Sequence, residues 1–283
     1  MINQSSYSVL IVEGGALRGI FSTGVLDGFL ENNFNPFDFF MGVSSGATNL
    51  AAYLACMQRR NYRIYTDYSL RPEFINIGRF FRGGHLLDLD WLWDITIREI
   101  RLDLPVIYSR HKPFIVVLTD VQTGKAIYKE TTSQNLEHIL KASSALPFFY
   151  RNYPTVDGHP MTDGGVADAL PVQEAIRRGA RKIMVIRSRP RNYRKRNGIA
   201  DYLLRAHLRK YPLLQEAMAK RALRYNEATA LIGQPPAGIS IMEICPPDNF
   251  RVARFSKDRC ILQEGYEQGL SRADDTIARW NTI

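Results

Sequence analysis

Phe37-Asp38-Phe39-Phe40-Met41-Gly42-Val43-Ser44-Ser45-Gly46-Ala47-Thr48-Asn49-Leu50-Ala51 is the stretch that decides the fold of this chain. Its first part, Phe37 to Val43, is an apolar run closed by a Ser/Gly turn. Such a run, bounded by turn residues, reads as a buried strand. Beyond the turn, Ala47, Leu50, Ala51, Leu54 and Ala55 recur at i, i+3, i+4, i+7 and i+8. That is the inward face of a helix built from small residues. Gly42-Val43-Ser44-Ser45-Gly46 is the G-x-S-x-G joint between the two. A serine on so sharp a strand-to-helix turn adopts a strained backbone, and flanking glycines let strand and helix pass close together. Its hydroxyl then stands above the sheet at a helix N-terminus, whose dipole favours developing negative charge. The pentapeptide alone arises by chance in many chains. The strand before it and the helix after it make Ser44 a candidate nucleophile, against the bland reading of a glycine-rich helix cap.

Upstream, Ser8 to Val12 is a second apolar run, closed by Glu13-Gly14-Gly15. Phe21, Val25, Leu26, Phe29 and Leu30 follow at helical spacing until Asn32-Asn33 and Pro36, residues that end helices. Strand, turn, helix, strand, turn, helix predicts a βαβα unit and a parallel sheet. Downstream, Phe114 to Leu118 and Lys182 to Ile186 read as buried strands, and Ala126 to Lys129 as a sheet-edge strand. Leu170 to Arg178 reads as a helix with Pro171 in its first turn, and Ile239 to Ile244 as a last strand. Leu262, Tyr266, Leu270, Ala273, Ile277 and Trp280 predict one long tail helix. The expectation is a single α/β domain over 1–283, with a mostly parallel central sheet flanked by helices in three layers. Within it, 6–189 would form a catalytic core, and 190–283 a basic helical segment, the last strand and the C-terminal helix.

With 283 residues, 45% hydrophobic and 23% charged, the chain is long enough for a substantial core and is neither disordered nor collagen-like. Three cysteines, Cys56, Cys245 and Cys260, are too few and odd in number for a disulfide framework and suggest a reducing compartment. No Cys/His pair has zinc-like spacing, so neither a metal nor a cofactor is expected. No apolar run approaches the roughly 18 residues of a membrane span, and the first residues lack the pattern of a secretory signal. The expected location is cytoplasmic, with peripheral contact at the inner membrane face as a further expectation.

The net charge is +9, and from Arg177 to Arg224 there are sixteen Lys or Arg against two acids, Asp201 and Glu216. Such a surface attracts phosphates. The segment 187–224, with Arg187, Arg189, Arg191, Arg194, Lys195 and Arg196, is the candidate contact with an anionic membrane; a solvated helical face is the bland alternative. No nucleic-acid motif accompanies the charge, so nucleic acid is not an expected partner.

Two further features carry chemistry. Glu13-Gly14-Gly15-Ala16-Leu17-Arg18-Gly19 follows the first strand directly. Small residues at a helix start expose consecutive N–H groups, a cradle for an anion. The block lacks the nucleotide-binding patterns but suits an oxyanion hole beside Ser44. Arg18 either anchors this loop or is surface charge. Asp163-Gly164-Gly165 offers a carboxylate on a tight turn. A serine hydroxyl needs a base, usually histidine. Of His85, His111, His138, His159 and His207, none sits in a convincing strand-end loop, although Ser44–Asp163–His207 would have a suitable chain order. A direct aspartate base must be held against the hydroxyl and partly desolvated; a lone Asp-Gly is otherwise a hairpin turn.

Together these residues resemble the patatin-like phospholipases. Glu13 to Gly19 is similar to the family's G-G-G-x-[RK]-G block, and Gly42 to Gly46 to its nucleophile elbow. Ala142 to Phe149 (ASSALPFF), with Pro147, is similar to its A-S-x-A-x-P-x-x-F block, and Asp163-Gly164-Gly165 to its D-G-[GA] block. The four blocks span residues 7 to about 175, and Gly265-Tyr266 to Gly269 also looks like bacterial members. The resemblance implies a patatin-like three-layer fold and a Ser44–Asp163 dyad without histidine. It implies an oxyanion hole from the N–H groups of Gly14, Gly15, Ala16 and Leu17, supported by Arg18, Gly19, Gly42, Gly46, Gly164, Gly165 and Pro147. It implies metal-free hydrolysis of acyl esters of lipids or phospholipids. Ala16 departs from the pattern, standing where the family usually has a third glycine; a position needing positive φ would be strained there.

Leu86, Leu87, Leu89, Trp91, Leu92 and Trp93 are candidates for an acyl channel or lid, with ordinary core as the alternative. Phe148, Phe149 and Tyr150 are expected near the pocket. Rival readings are a thioesterase or non-lipid esterase, a lipid-binding or regulatory module with dead chemistry, and a nucleic-acid binder.

Overall fold

The computed structural model describes residues 7–196, 198 and 208–282. Eight strands among them build one mixed sheet: β1 Tyr7–Val12, β2 Phe39–Val43, β3 Phe114–Asp120, β4 Ala126–Glu130, β5 Thr155–Val156, β6 His159–Asp163, β7 Ala180–Ile186 and β8 Ser240–Ile244. The path runs β5-β6-β3-β2-β1-β7-β8, with β4 also paired to β3. From β3 through β2, β1 and β7 to β8 all pairs are parallel. Every residue of β2 and β3 is buried, because helices cover both faces; strands in such sheets read as continuous apolar runs.

Successive side chains of β1 feed opposite layers. Leu10 and Val12 join Phe21 and Phe29 of helix Ile20–Glu31 and Leu50 and Ala51 of helix Ser45–Leu54. Val9 and Ile11 join Val172 and Ala175 of helix Val172–Arg177 and Tyr225 and Ile232 of helix Pro212–Gly233. The three layers expected of the α/β class are thus present.

The feature that matters most for the site lies along β3. Residues 115–117 pair with β2 and β4 together, and 118–119 with β4 and β6 together. A strand has only two edges, so β2 and β6 lie end to end along the same one. Val43, the last residue of β2, faces Val117, and Asp163, the last residue of β6, faces the adjacent Leu118. Two strands arriving from opposite directions therefore deliver Ser44 and Asp163 to one point.

Two expectations are corrected. The tail is not one helix: Arg259–Leu270 and Ala273–Trp280 are separated at Ser271-Arg272. The apolar spacing runs through the break because Ala273 packs where a Cβ on Gly28 would come within 2.4 Å of it. The basic stretch from Arg189 is not helical throughout: among the described residues, Arg189 to Arg196 is irregular and Pro212–Gly233 is a helix. His207, and with it part of the expected basic helical segment, lies outside the described residues.

The tail is held by backbone-to-backbone contact. A Cβ on Gly24 would stand 2.1 Å from the Tyr266 carbonyl oxygen, and one on Gly269 would stand 2.1 Å from that of Phe21. Only glycine lets these helices approach so closely. Tyr266 then donates its hydroxyl to Asp27 Oδ2 at 3.0 Å. Gly269→Val should lower stability by about 1–3 kcal/mol, the scale of overpacking, measured as a shift of the urea midpoint; an unchanged midpoint would contradict this packing.

Candidate active site

Ser44 has φ 53° and ψ −127°, a conformation that costs a non-glycine residue of order 1–3 kcal/mol. The surroundings hold it there. A Cβ on Gly46 would stand 2.3 Å from the Val12 carbonyl oxygen, so no larger residue lets the helix start this close to β1. The Ser44 N–H donates to Ser143 Oγ at 2.8 Å, and the Ser143 hydroxyl donates to the Val117 carbonyl at 2.7 Å. The elbow is thereby tied to β3 through one buried serine.

Ser44 and Asp163 line the same cavity, and the Ser44 hydroxyl favours the ionised form of the Asp163 carboxylate. Asp163 is fixed from several sides. Its N–H donates to the Ala145 carbonyl at 3.0 Å, Thr119 Oγ1 donates to its carbonyl at 2.8 Å, and the Gly165 N–H donates to its Oδ1 at 2.8 Å. The side chain is only 2% exposed. Burial pushes its pKa above the ordinary carboxylate range, opposed by the Ser44 hydroxyl, Arg221 and the Gly165 N–H. Desolvation of this kind makes an aspartate a better base. Arg221 reaches from helix Pro212–Gly233 to donate its Nε–H to the Gly165 carbonyl at 2.7 Å.

The Glu13–Gly19 block curls over the elbow. A Cβ on Gly14 would meet Ser44 Cβ at 2.8 Å. Of the four expected oxyanion donors, two are engaged: the Gly15 N–H donates to Ser45 Oγ at 2.8 Å and the Leu17 N–H to the Arg254 carbonyl at 3.2 Å. These bonds brace the loop. Gly14 and Ala16 line the wall of the cavity beside Ser44. Ala16 sits at φ 51°, the positive region that its departure from glycine put in question. Arg18 is not surface charge; it is 6% exposed, and its Nε has no hydrogen-bond partner among the described residues. Gly19 lies under Tyr65, and its carbonyl accepts from Asn49 Nδ2 at 2.8 Å. Gly42 packs on Ala47, Gly164 packs on the Val117 carbonyl, and Pro147 is buried just beyond helix Leu136–Ser144 without reaching either cavity described next.

Two cavities meet at Ser44. The larger, about 110 Å³, is apolar, with Leu17, Leu87, Leu89, Leu92, Trp93 and Phe255 among its lining. The smaller, about 30 Å³, is charged: Glu13, Arg18, Asp163, Lys195, Arg221 and Arg254 face it. Ala16, Ser44, Leu146 and Arg254 line both. Leu87, Leu89, Leu92 and Trp93 are thus on the channel wall as expected, whereas Leu86 and Trp91 are not. Phe148, Phe149 and Tyr150 line neither cavity; Phe149 packs behind Phe255 at 5.2 Å between ring centroids. Among the described residues no histidine borders either cavity, and no cluster suited to a metal ion is found.

The sequence reading overlooked Ser143, Thr119 and Ser45 as positioning residues, and Lys195, Arg221 and Arg254 as walls of the site. Ser143 had a signal, since it lies inside the ASSALPFF block. The three cations had none: each is far in sequence from the motifs.

A family model described as patatin-like phospholipase matches residues 10–176, more than half of the chain and including Ser44 and Asp163. The chain belongs to the patatin-like phospholipase family. A second family model, a domain of unknown function, matches residues 211–283. The chain is 33% identical over 271 residues to "Uncharacterized protein YjjU" of Escherichia coli (strain K12), covering 92% of this chain and 74% of that protein. It is 24% identical over 189 residues to "Probable lipid hydrolase 463L" of Invertebrate iridescent virus 6, covering 60% and 64% respectively. The solved structure of VipD from Legionella pneumophila aligns over 95% of this chain and 67% of that one, with TM-score 0.43 and 13% identity. Family membership accounts for the three layers and for the order of the four motif blocks, and at a general level it supports lipid hydrolysis.

Ser143→Ala removes the acceptor of a buried N–H, which costs about 1–3 kcal/mol. It should lower thermal stability and reduce kcat for ester hydrolysis more than it raises KM. A variant with wild-type kcat would sink the positioning role. Ala16→Gly should raise stability by about 1 kcal/mol by relieving the left-handed backbone, read by urea denaturation.

Proposed function

We propose that this chain is a lipid acyl hydrolase working through a Ser44–Asp163 dyad. The observation that carries the proposal is that Ser44 and a buried Asp163, delivered by abutting strand ends, face one charged cavity where it meets an apolar one. The acyl chain lies along Leu87, Leu89, Leu92 and Trp93, which places the ester carbonyl over Ser44. Asp163 takes the hydroxyl proton as Oγ attacks. The developing oxyanion is met by N–H groups of the Gly14–Leu17 loop, with Gly14 and Ala16 as donors because Gly15 and Leu17 are already committed. Donors held in place before the reaction stabilise that charge without reorganisation. The alcohol leaves with the proton, an acyl-enzyme remains, and a water activated by Asp163 releases the fatty acid. Contact with an anionic lipid surface would fall to exposed members of the basic stretch such as Arg194 and Arg196. Arg187 cannot share that role: it is 1% exposed and tied to Glu243 and Tyr225.

Fluorophosphonate should label wild type and not Ser44→Ala, and Ser44→Ala and Asp163→Asn should each lose p-nitrophenyl ester turnover with the fold retained by circular dichroism. Labelling of Ser44→Ala, or turnover by Asp163→Asn, would overturn the dyad. The base must be ionised to accept a proton, and burial raises its pKa. Activity should therefore fall as pH drops through a value above the ordinary Asp pKa of about 3.9, an acid limb visible in kcat/KM. A lack of reactivity in wild type would favour a regulatory module, and a preference for thioesters over oxygen esters a thioesterase.

A further inference from the structure

The charged cavity holds more cation than the dyad requires. Arg18, Lys195, Arg221 and Arg254 face it against two carboxylates, Glu13 and Asp163. Both carboxylates have other duties: Glu13 Oε2 accepts the Ser188 N–H at 2.7 Å, and Asp163 Oδ1 accepts the Gly165 N–H at 2.8 Å. Clustered half-buried cations repel one another and lose hydration. Burial, Arg189 and Arg254 push the Arg18 pKa down to about 9. Burial, Arg221 and Arg254 push Lys195 well below the ordinary lysine range. An anion in the cavity would relieve both effects, and Arg18 is among the residues of its wall.

We propose that this cavity seats the phosphate of an acyl lipid whose headgroup is a phosphomonoester, a phosphatidic or lysophosphatidic acid, while the acyl chain fills the apolar cavity. The inference rests on the acyl-hydrolase reading above. Three observations combine in it. The cavities share Ser44 as a boundary, and in a glycerophospholipid only a few bonds separate ester carbonyl from phosphate, so one molecule spans both. A phosphomonoester carries about −1.5 to −2 charge at neutral pH with three acceptor oxygens, matching the cation excess and the fork geometry of arginine. The chamber is small, which suits a phosphate without a further substituent. Lys195, Arg221 and Arg254 all lie beyond residue 176, where the patatin-like match ends. The specificity wall is thus supplied by the later part of the chain.

The test compares kcat/KM for a short-chain phosphatidic acid with that for the diacylglycerol bearing the same acyl groups. Lys195 is the residue to vary, because Arg221 also holds Gly165 and its loss would disturb the dyad. Wild type should prefer the phosphatidic acid. Lys195→Gln should lower the preference ratio by about tenfold, the scale of one charge-assisted hydrogen bond; Lys195→Glu should lower it further, and Lys195→Arg should keep it. A ratio unmoved by Gln and Glu, with both substrates falling together, would overturn the inference and leave the cations as oxyanion support alone. If wild type cleaves neither substrate and Ser44 resists fluorophosphonate, the hydrolase reading fails by itself. The headgroup site is then decided by calorimetry on Ser44→Ala, which should bind lysophosphatidic acid and not monoacylglycerol; equal binding of the two would reject it. Inorganic phosphate should compete weakly, and binding of phosphate as tight as the lipid's would overturn the lipid assignment in favour of a free-anion site.

Discussion

Everything in the site depends on one lane of hydrogen bonding beside β3 being shared by two strands. β2 must stop after Val43 for β6 to reach Leu118 from the other direction. The stop is made by the positive φ of Ser44, which turns the chain out of the sheet and into helix Ser45–Leu54. An extended Ser44 would prolong β2 into the space of Asp163. The strained backbone is therefore a condition for Ser44 and Asp163 to meet as well as a way of exposing a hydroxyl. Its cost is offset by bonds that exist only in this arrangement, Ser44 N–H to Ser143 and Ser143 to Val117. The same ASSALPFF block receives the Asp163 N–H at Ala145, so one short segment registers both Ser44 and Asp163.

Burial then sets the chemistry. A surface aspartate is a feeble base toward an alcohol. Asp163 is enclosed by β3, the Gly164-Gly165 turn and Arg221, and the enclosure raises its proton affinity. The opposing influences are as informative. Arg221 and the Gly165 N–H favour the ionised form and oppose the rise that burial causes. The site balances desolvation against a few directed contacts, and Arg221 tunes that balance from the helix at residues Pro212–Gly233.

The parallel strands of the central sheet and the elbow were legible because local patterns specify them, whereas the short strand His159–Asp163 that carries Asp163 was not, and Asp163 was singled out through the family resemblance. Apolar runs closed by glycine turns mark strands buried on both faces, and the small-residue stripe after Ser44 marks a helix pressed against the sheet. The strain at Ala16 was equally readable, since one methyl group stood where a positive φ favours glycine. What escaped was long-range. Nothing local in Gly24 or Gly269 announces that their helices touch backbone to backbone, and helical spacing carried across the break at Ser271-Arg272 because both tail helices face the same neighbour. Burial of Arg18 and Arg187 was also illegible. Charge in a sequence reports how many cations exist, and only the fold says which way they point.

That last point changes the meaning of the basic segment. Read along the chain, its sixteen cations against two acids look like an outward patch for phosphates. In the fold the segment divides. Arg187 is internal, bound to Glu243 and Tyr225, and Arg191 pairs with the same glutamate at 3.1 Å. Lys195 and Arg221 face the cavity at Ser44, joined by Arg254 from the loop before helix Arg259–Leu270. A cation on the surface is screened by salt within about 10 Å, whereas one in a half-buried wall is screened much less from whatever enters. Charge moved from surface to wall thus exchanges general attraction for selectivity. It also explains why the tail must pack so tightly: the glycine contacts that bring helix Arg259–Leu270 onto helix Ile20–Glu31 anchor the stretch from which Arg254 reaches both cavities, so the packing of the tail and the electrostatics of the site are set by the same constraint.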